Sequence, residues 1–181
     1  MGKNYWMVVV SRENFEIIKE MGFTLLGFGA RYKRRTNRMQ PDDRVLFYVT
    51  GLRKWPATAT ITSTSFEDHS KVFHSPNGKE DFPYRVHIAP ALVLDEEDYI
   101  DALVLGPRLE YVRRWAPEDW HLAFFDALHL LPQRDFRLIE AEMKRVLSRK
   151  QRAQRRQRRG RGRRGRDRAR KSGAPADGAG D

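Results

Sequence analysis

Ten aromatic residues sit in or beside short apolar runs: Tyr5, Trp6, Phe28, Tyr32, Phe47, Tyr48, Trp55, Tyr84, Trp115 and Trp120. An aromatic face stacks on an unpaired base at about 1–3 kcal/mol, whichever base it is. A backbone amide, a serine or an asparagine nearby then reads the base edge. Ordinary core packing is the competing role, most strongly for Trp6, Phe47 and Tyr84. Between two apolar segments lies a basic stretch without an acid, holding Arg31, Lys33, Arg34, Arg35 and Arg38. A loop of that composition suits phosphate gripped at a pocket mouth; its alternative is a merely solvated loop.

Other chemistry is harder to find. The histidines (His69, His74, His87, His121 and His129) show no HxH or HxxxH spacing, so no metal site is expected. The acids Asp95, Glu96, Glu97, Asp98 and Asp101 would suit Mg²⁺, but a helix N-terminus explains them more simply. Pro41-Asp42 and Glu142-Met143-Lys144 carry the letters of a nuclease signature. They stand too far apart, the second on an apolar-patterned helix, to count as one. There is no phosphate-cradling GxxxxGK[ST] or GxGxxG, and no serine in a nucleophile-elbow context. The chain has no cysteine, which removes thiol catalysis and Cys-based zinc sites and fits a reducing cytoplasm. The expectation is a protein that is not an enzyme and carries no cofactor.

Charge divides the chain. Residues 149–171 hold fourteen of the 35 Lys and Arg residues and one acid, Asp167. Setting those fourteen aside, with Asp167, Asp177 and Asp181 from the 24 acids, leaves residues 1–148 with 21 of each sign. The net charge of +11 therefore lies in an appendage to a neutral body. Dense arginine neutralises phosphates and releases their counterions, which marks Arg155, Arg156, Arg158 and Arg159 as phosphate-binding. The appendage has no apolar side chain larger than alanine. It is expected to be disordered over 149–181, apart from some continuation of the preceding helix. It also lacks the apolar face that would bury in a membrane interface. No apolar stretch is long enough to span a bilayer, and the first residues do not read as a signal peptide. A soluble, cytoplasmic protein is expected.

These groups must be positioned by the neutral body, which has the size of one domain. Tyr5–Ser11 reads as a buried strand and Ser11 as the cap of a helix ending at Gly22. Val45–Val49, Trp55–Phe66 and Tyr84–Leu94 read as further strands, separated by an exposed loop over 67–83. Asp95–Asp98 opens a helical turn, and a helix follows Pro132. Trp120–Leu131 fits either a helix or an interrupted strand, and locally leans to helix. The order predicts a compact α+β domain with a curled, mostly non-helical sheet.

Several of these pieces, in this order, resemble the EVE domain, in particular the small bacterial proteins of the UPF0310 group. They are Tyr5–Ser11, the helix to Gly22-Phe23, Gly29-Ala30-Arg31, Asp43–Tyr48, Trp120 and Asp135–Ile139, so the resemblance covers roughly residues 4–143. It implies the PUA-like fold, a small β-barrel with flanking helices, related to YTH RNA readers. It turns 122–131 into a barrel strand. It also implies a pocket taking a flipped or single-stranded, modified base between aromatic side chains. The matching positions are Trp6 and Ser11, Phe28, Gly29 and Arg31, Phe47 and Tyr48, and Trp115 or Trp120. The expected function is a non-enzymatic reader of a base in DNA or RNA, with the tail on phosphates. The alternatives are an enzyme acting on nucleobases or nucleic acid, or its recruiting domain, and an RNA- or ribosome-associated structural protein acting through its tail.

Overall fold

A computed structural model describes residues 2–171, with side chains described through residue 158. The elements are β1 (Tyr5–Val10), α1 (Arg12–Glu20), β2 (Leu25–Phe28), α2 (Lys33–Thr36), β3 (Arg44–Val49), β4 (Lys54–Trp55), β5 (Ala57–Ile61), β6 (Phe66–Glu67), β7 (Tyr84–Val93), β8 (Ile100–Asp101), α3 (Ala102–Leu105), β9 (Leu128–Leu130) and α4 (Gln133–Lys171). Short 3-10 turns occur at Ala30–Tyr32, Glu96–Asp98, Gly106–Arg108, Glu110–Val112 and Trp120–Phe124. The chain divides into two compact units, Met1–Lys144 and Arg145–Asp181.

The nine strands form one mixed sheet, ordered β2-β7-β5-β3-β1-β9, with β4 beside β3 and β8, and β6 beside β7. β1 and β3 run parallel, from Tyr5 opposite Arg44 to Val10 opposite Val49. The other pairs are antiparallel, and the β5–β7 ladder shifts register at Thr58/Ala59, a bulge of the kind that bends a strand. The sheet curls, but β2 and β9 end its path and do not pair with each other. Side chains cross that seam instead. The Ala127 amide donates to the Tyr32 hydroxyl at 3.0 Å, and Arg31 pairs with Asp126 at 2.9 Å.

β3 lies in the middle of the sheet, with five of its six residues buried. Successive side chains of a strand point to opposite faces, so Phe47 meets Phe15 of α1 and Phe23 on one side. Tyr48 meets Trp55 and Phe124 on the other. That two-sided burial accounts for the unbroken apolar run in the sequence. Ser11 caps α1 by accepting from the Asn14 amide at 3.2 Å, and Gly22, at φ +69°, ends the turn that follows it. Asp43 is also buried, and its carboxylate accepts from Asn4 N, Gln40 N and the Trp6 indole Nε1–H, the last at 2.9 Å. Asp135, at the start of α4, holds the 106–112 segment by accepting from the amides of Glu110 and Tyr111.

The structure departs from expectation at three places. The basic stretch after Gly29 is a 3-10 turn running into α2 rather than an open loop, because Arg and Lys favour helix and no glycine interrupts them. The span 55–66 breaks into β4, β5 and β6; Pro56, which lacks an amide for the ladder, separates the first two. Residues 120–131 divide into a 3-10 turn and the three-residue β9, so each local reading holds for part of the span. As expected, the last helix continues into the basic stretch, and α4 is described as far as Lys171. Lack of apolar residues rules out a core but not a helix, for which Arg, Gln and Ala have good intrinsic propensity. Residues 172–181 lie outside the described residues.

Candidate functional site

Two concavities stand out in the first unit. The smaller, about 320 Å³, opens at the seam between the C-terminal half of β1 and β2. One wall comes from the sheet and the turn after it: Ser11, Phe28, Gly29, Arg31 and Tyr32. The other comes from the 68–83 loop, through Phe73, His74, Glu80 and Phe82. Four rings thus line it, Phe28 and Tyr32 edge to face at 6.5 Å on the sheet side, and Phe73 and Phe82 edge to face at 6.0 Å on the loop side.

The loop wall is held from below. Arg85 of β7 is wholly buried and its guanidinium donates to the Ser70 hydroxyl at 2.8 Å, to the Ser70 carbonyl, and to the carbonyls of Phe82 and Asp81. It also pairs with Asp68 at 2.8 Å and lies 5.7 Å from the Phe73 ring centroid. Two clasps act from outside. Asn14 of α1 exchanges hydrogen bonds with the His74 backbone, at 2.7 and 2.9 Å. His69 bridges Glu67 of β6 and Asp81, and hydrogen bonds to those two carboxylates raise its pKa. Gly27 and Gly29 let the loop approach: a Cβ on Gly27 would lie 2.4 Å from Phe73 Cε2, and one on Gly29 would lie 3.1 Å from Glu80 Oε2.

The polar groups of this cavity are few. Ser11 Oγ accepts from the Asn14 amide, and its hydroxyl proton goes to the Glu13 carboxylate. Arg31 is tied to Asp126. The Glu80 carboxylate has no hydrogen-bond or ion-pair partner among the described residues, so it offers an acceptor for amino or imino protons.

The larger concavity, about 1200 Å³, lies on the other side of the Arg31–Asp126 contact. Burial pushes the Asp126 carboxyl up, but Arg35 and Arg31 outweigh it and the pKa is lowered overall. His129 of β9 lies in this wall; burial pushes its pKa down despite the nearby Asp126. As a neutral ring it donates from Nε2 to the Asp126 carbonyl at 2.6 Å and accepts at Nδ1 from the Tyr111 hydroxyl at 2.8 Å.

The expected pocket residues therefore separate. Ser11, Phe28, Gly29 and Arg31 share the smaller cavity. Trp6 and Trp115 line the larger one. Trp6 is itself 1% exposed, held face-down by its bond to Asp43. Phe47 and Tyr48 line neither, because β3 is covered on both faces. Trp120 is core, its ring filling the space where a Cβ on Gly106 would stand, 2.4 Å away. Among the basic residues, Arg31 and Arg35 share Asp126, Lys33 lies 5.1 Å from the Tyr84 ring centroid, and Arg34 and Arg38 are exposed. Arg155, Arg156 and Arg158 are exposed on α4; the Arg159 side chain lies outside those described. Phe73, His74, Glu80 and Phe82 escaped the sequence reading. Their signal was two phenylalanines in an otherwise polar loop around Pro76-Asn77-Gly78. The carboxylates of Asp95, Glu97 and Asp98 come within 4.8 Å of one another, on an exposed 3-10 turn. No described helix is long and apolar enough to cross a membrane.

The curled mixed sheet with its flanking helices is a PUA-like fold. A family model of the EVE domain matches residues 4–115, and the chain belongs to that family. It is 29% identical over 147 residues to the UPF0310 protein PH1033 of the archaeon Pyrococcus horikoshii, covering 75% of this chain and 96% of that protein. Its fold is similar to the YTH domain of Zygosaccharomyces rouxii MRB1, solved in complex with N6-methyladenosine RNA (TM-score 0.54, 13% identity, 80% of this chain and 91% of that one). It is similar too to the Pho92 YTH domain, solved in complex with m6A (TM-score 0.55, 10% identity, 78% and 84%).

Proposed function

We propose that this protein reads a single unpaired or flipped nucleobase in the 320 Å³ cavity, without chemistry, while its arginines hold the backbone. The observation that carries this reading is the cavity itself: four aromatic rings and a few polar groups at the seam of the sheet. Its size is at the lower end of small-ligand sites, suited to a base and little more. The rings supply stacking to any base. Selection then falls to Glu80, which accepts from an exocyclic amine and repels a carbonyl edge. That acceptor favours adenine-like or cytosine-like bases over uracil. The solved YTH complexes with methylated adenine lend the same preference support. Extruding a base from a duplex costs a few kcal/mol, so single strands are the better substrate, RNA or DNA. Arg34, Arg38 and the exposed arginines of α4 contribute the salt-dependent, sequence-blind part of binding.

The test is calorimetric titration of the full chain with mononucleotides of each base, methylated and unmethylated. Preference for an amino-bearing base, lost in Phe73→Ala, is expected. Equal or absent binding of every mononucleotide would overturn the reading, and turnover of any of them would favour an enzyme.

A further inference from the structure

The larger concavity has an unusual wall for a protein surface. Phe125 is 88% exposed and Trp115 44%, and Leu130 joins them at 42%. All three line the same cleft of about 1200 Å³, nearly four times the volume of the cavity at the seam. Grouped exposed apolar residues of this size mark a binding surface rather than chance. Its other feature is charge. Arg35, Arg38 and Arg114 face the cleft, against Glu110 and Asp126. Asp126 is already neutralised by Arg31 and Arg35, at 2.9 and 3.3 Å. The guanidiniums of Arg38 and Arg114 have no hydrogen-bond or ion-pair partner among the described residues. The field in the cleft is therefore positive, and its apolar groups include two flat rings.

Position completes the argument. Arg31 and Ala127 line the seam cavity, whereas Arg35 and Asp126 line the cleft. The Arg31–Asp126–Arg35 contact is the ridge between them. A strand with one base in the cavity and its neighbours in the cleft would cross that ridge, where two guanidiniums stand beside the Asp126 carboxylate.

We propose that the cleft is a second, sequence-blind subsite, in which nucleotides flanking the read base stack on Trp115 and Phe125 while Arg38 and Arg114 bind their phosphates. It rests on the function proposed above for its polarity along the strand, but not for its existence. Rings beside unpaired guanidiniums are what single-stranded nucleic acid requires. An apolar protein segment would leave the arginines unmatched, and so is the poorer fit.

The full chain is titrated at about 150 mM salt with N6-methyladenosine 5′-monophosphate and with a seven-nucleotide single strand carrying that nucleotide at its centre, beside the exposed-residue double variant Trp115→Ala/Phe125→Ala and the charge variant Arg38→Glu/Arg114→Glu. The expected results are tighter binding of the heptamer than of the mononucleotide and a loss of about tenfold or more on the heptamer in each variant. Mononucleotide binding stays unchanged in Trp115→Ala/Phe125→Ala. If both variants bind the heptamer as the parent does, the subsite is refuted and the cleft belongs to a protein partner. If the parent ignores the mononucleotide yet its heptamer binding still depends on Trp115 and Phe125, the subsite stands and the base-reading cavity falls.

Discussion

Gly27 faces Phe73 so closely that the ring occupies the place of a side chain, 2.4 Å from where a Cβ would begin. Gly27→Val should therefore push Phe73 out of the cavity wall. The predicted cost is about 1–2 kcal/mol in urea denaturation, typical of overpacking relieved by a loop, with about tenfold weaker base binding by calorimetry. Unchanged affinity would show that Phe73 is not part of the site. Two histidines give opposite pH signatures. Burial pushes the His129 pKa down, so the unfolded chain takes up a proton near its ordinary 6.5 that the folded chain resists. Stability is then lost as pH falls through and below about 6.5. For His69, hydrogen bonds to Glu67 and Asp81 raise the pKa. Its contribution is complete below about 6.5 and disappears as pH rises through the folded value. Across pH 7.5 to 5, His129→Gln should flatten the acid-side loss in thermal melts and His69→Gln should steepen it. The same direction of change in both would refute the assignment.

At the scale of elements, the 68–83 loop is a wall built on one buried arginine. Arg85→Met removes the donor to three carbonyls, a hydroxyl and Asp68, and should cost about 3 kcal/mol. Hydrogen exchange should then show protection lost in 68–83 before the sheet; loss spread evenly over β1, β3 and β5 would mean the loop is not the unit that Arg85 holds. This wall was the part of the site least legible in the sequence. Locally 68–83 is polar with Pro, Asn and Gly, and nothing near it says that it folds back on β2. The strands, the Ser11 cap and the stop at Gly22 were legible because periodicity and capping are local. The faces of β3 were not. A strand buried on both sides has no polar residues to mark its orientation, so Phe47 and Tyr48 read equally well as core or pocket. The two Trp side chains in the larger cleft were visible as aromatics, but their separation from Ser11 and Phe28 depends on which edge of a curled sheet each reaches.

For the whole molecule, the excess charge lies outside the part that holds the proposed base cavity: a neutral body, then fourteen basic residues within 149–171. The EVE resemblance, and with it the PUA-like sheet, rested on an ordered set of short pieces in the body, and the family match falls there too. Truncation after Lys144 should weaken binding to every oligonucleotide and reduce the slope of log affinity against log salt, by roughly one unit for each phosphate that the removed arginines had neutralised. Base preference should not move.

That division of labour yields the most direct measurement: fluorescence anisotropy at about 150 mM salt, with the chain ending at Lys144 and short single strands of RNA and DNA differing only in one central base, methylated or not. A reader predicts a preference for one amino-bearing base that survives removal of the arginines and vanishes in Gly27→Val. No binding by the shortened chain, with the full chain binding every strand alike, would contradict it.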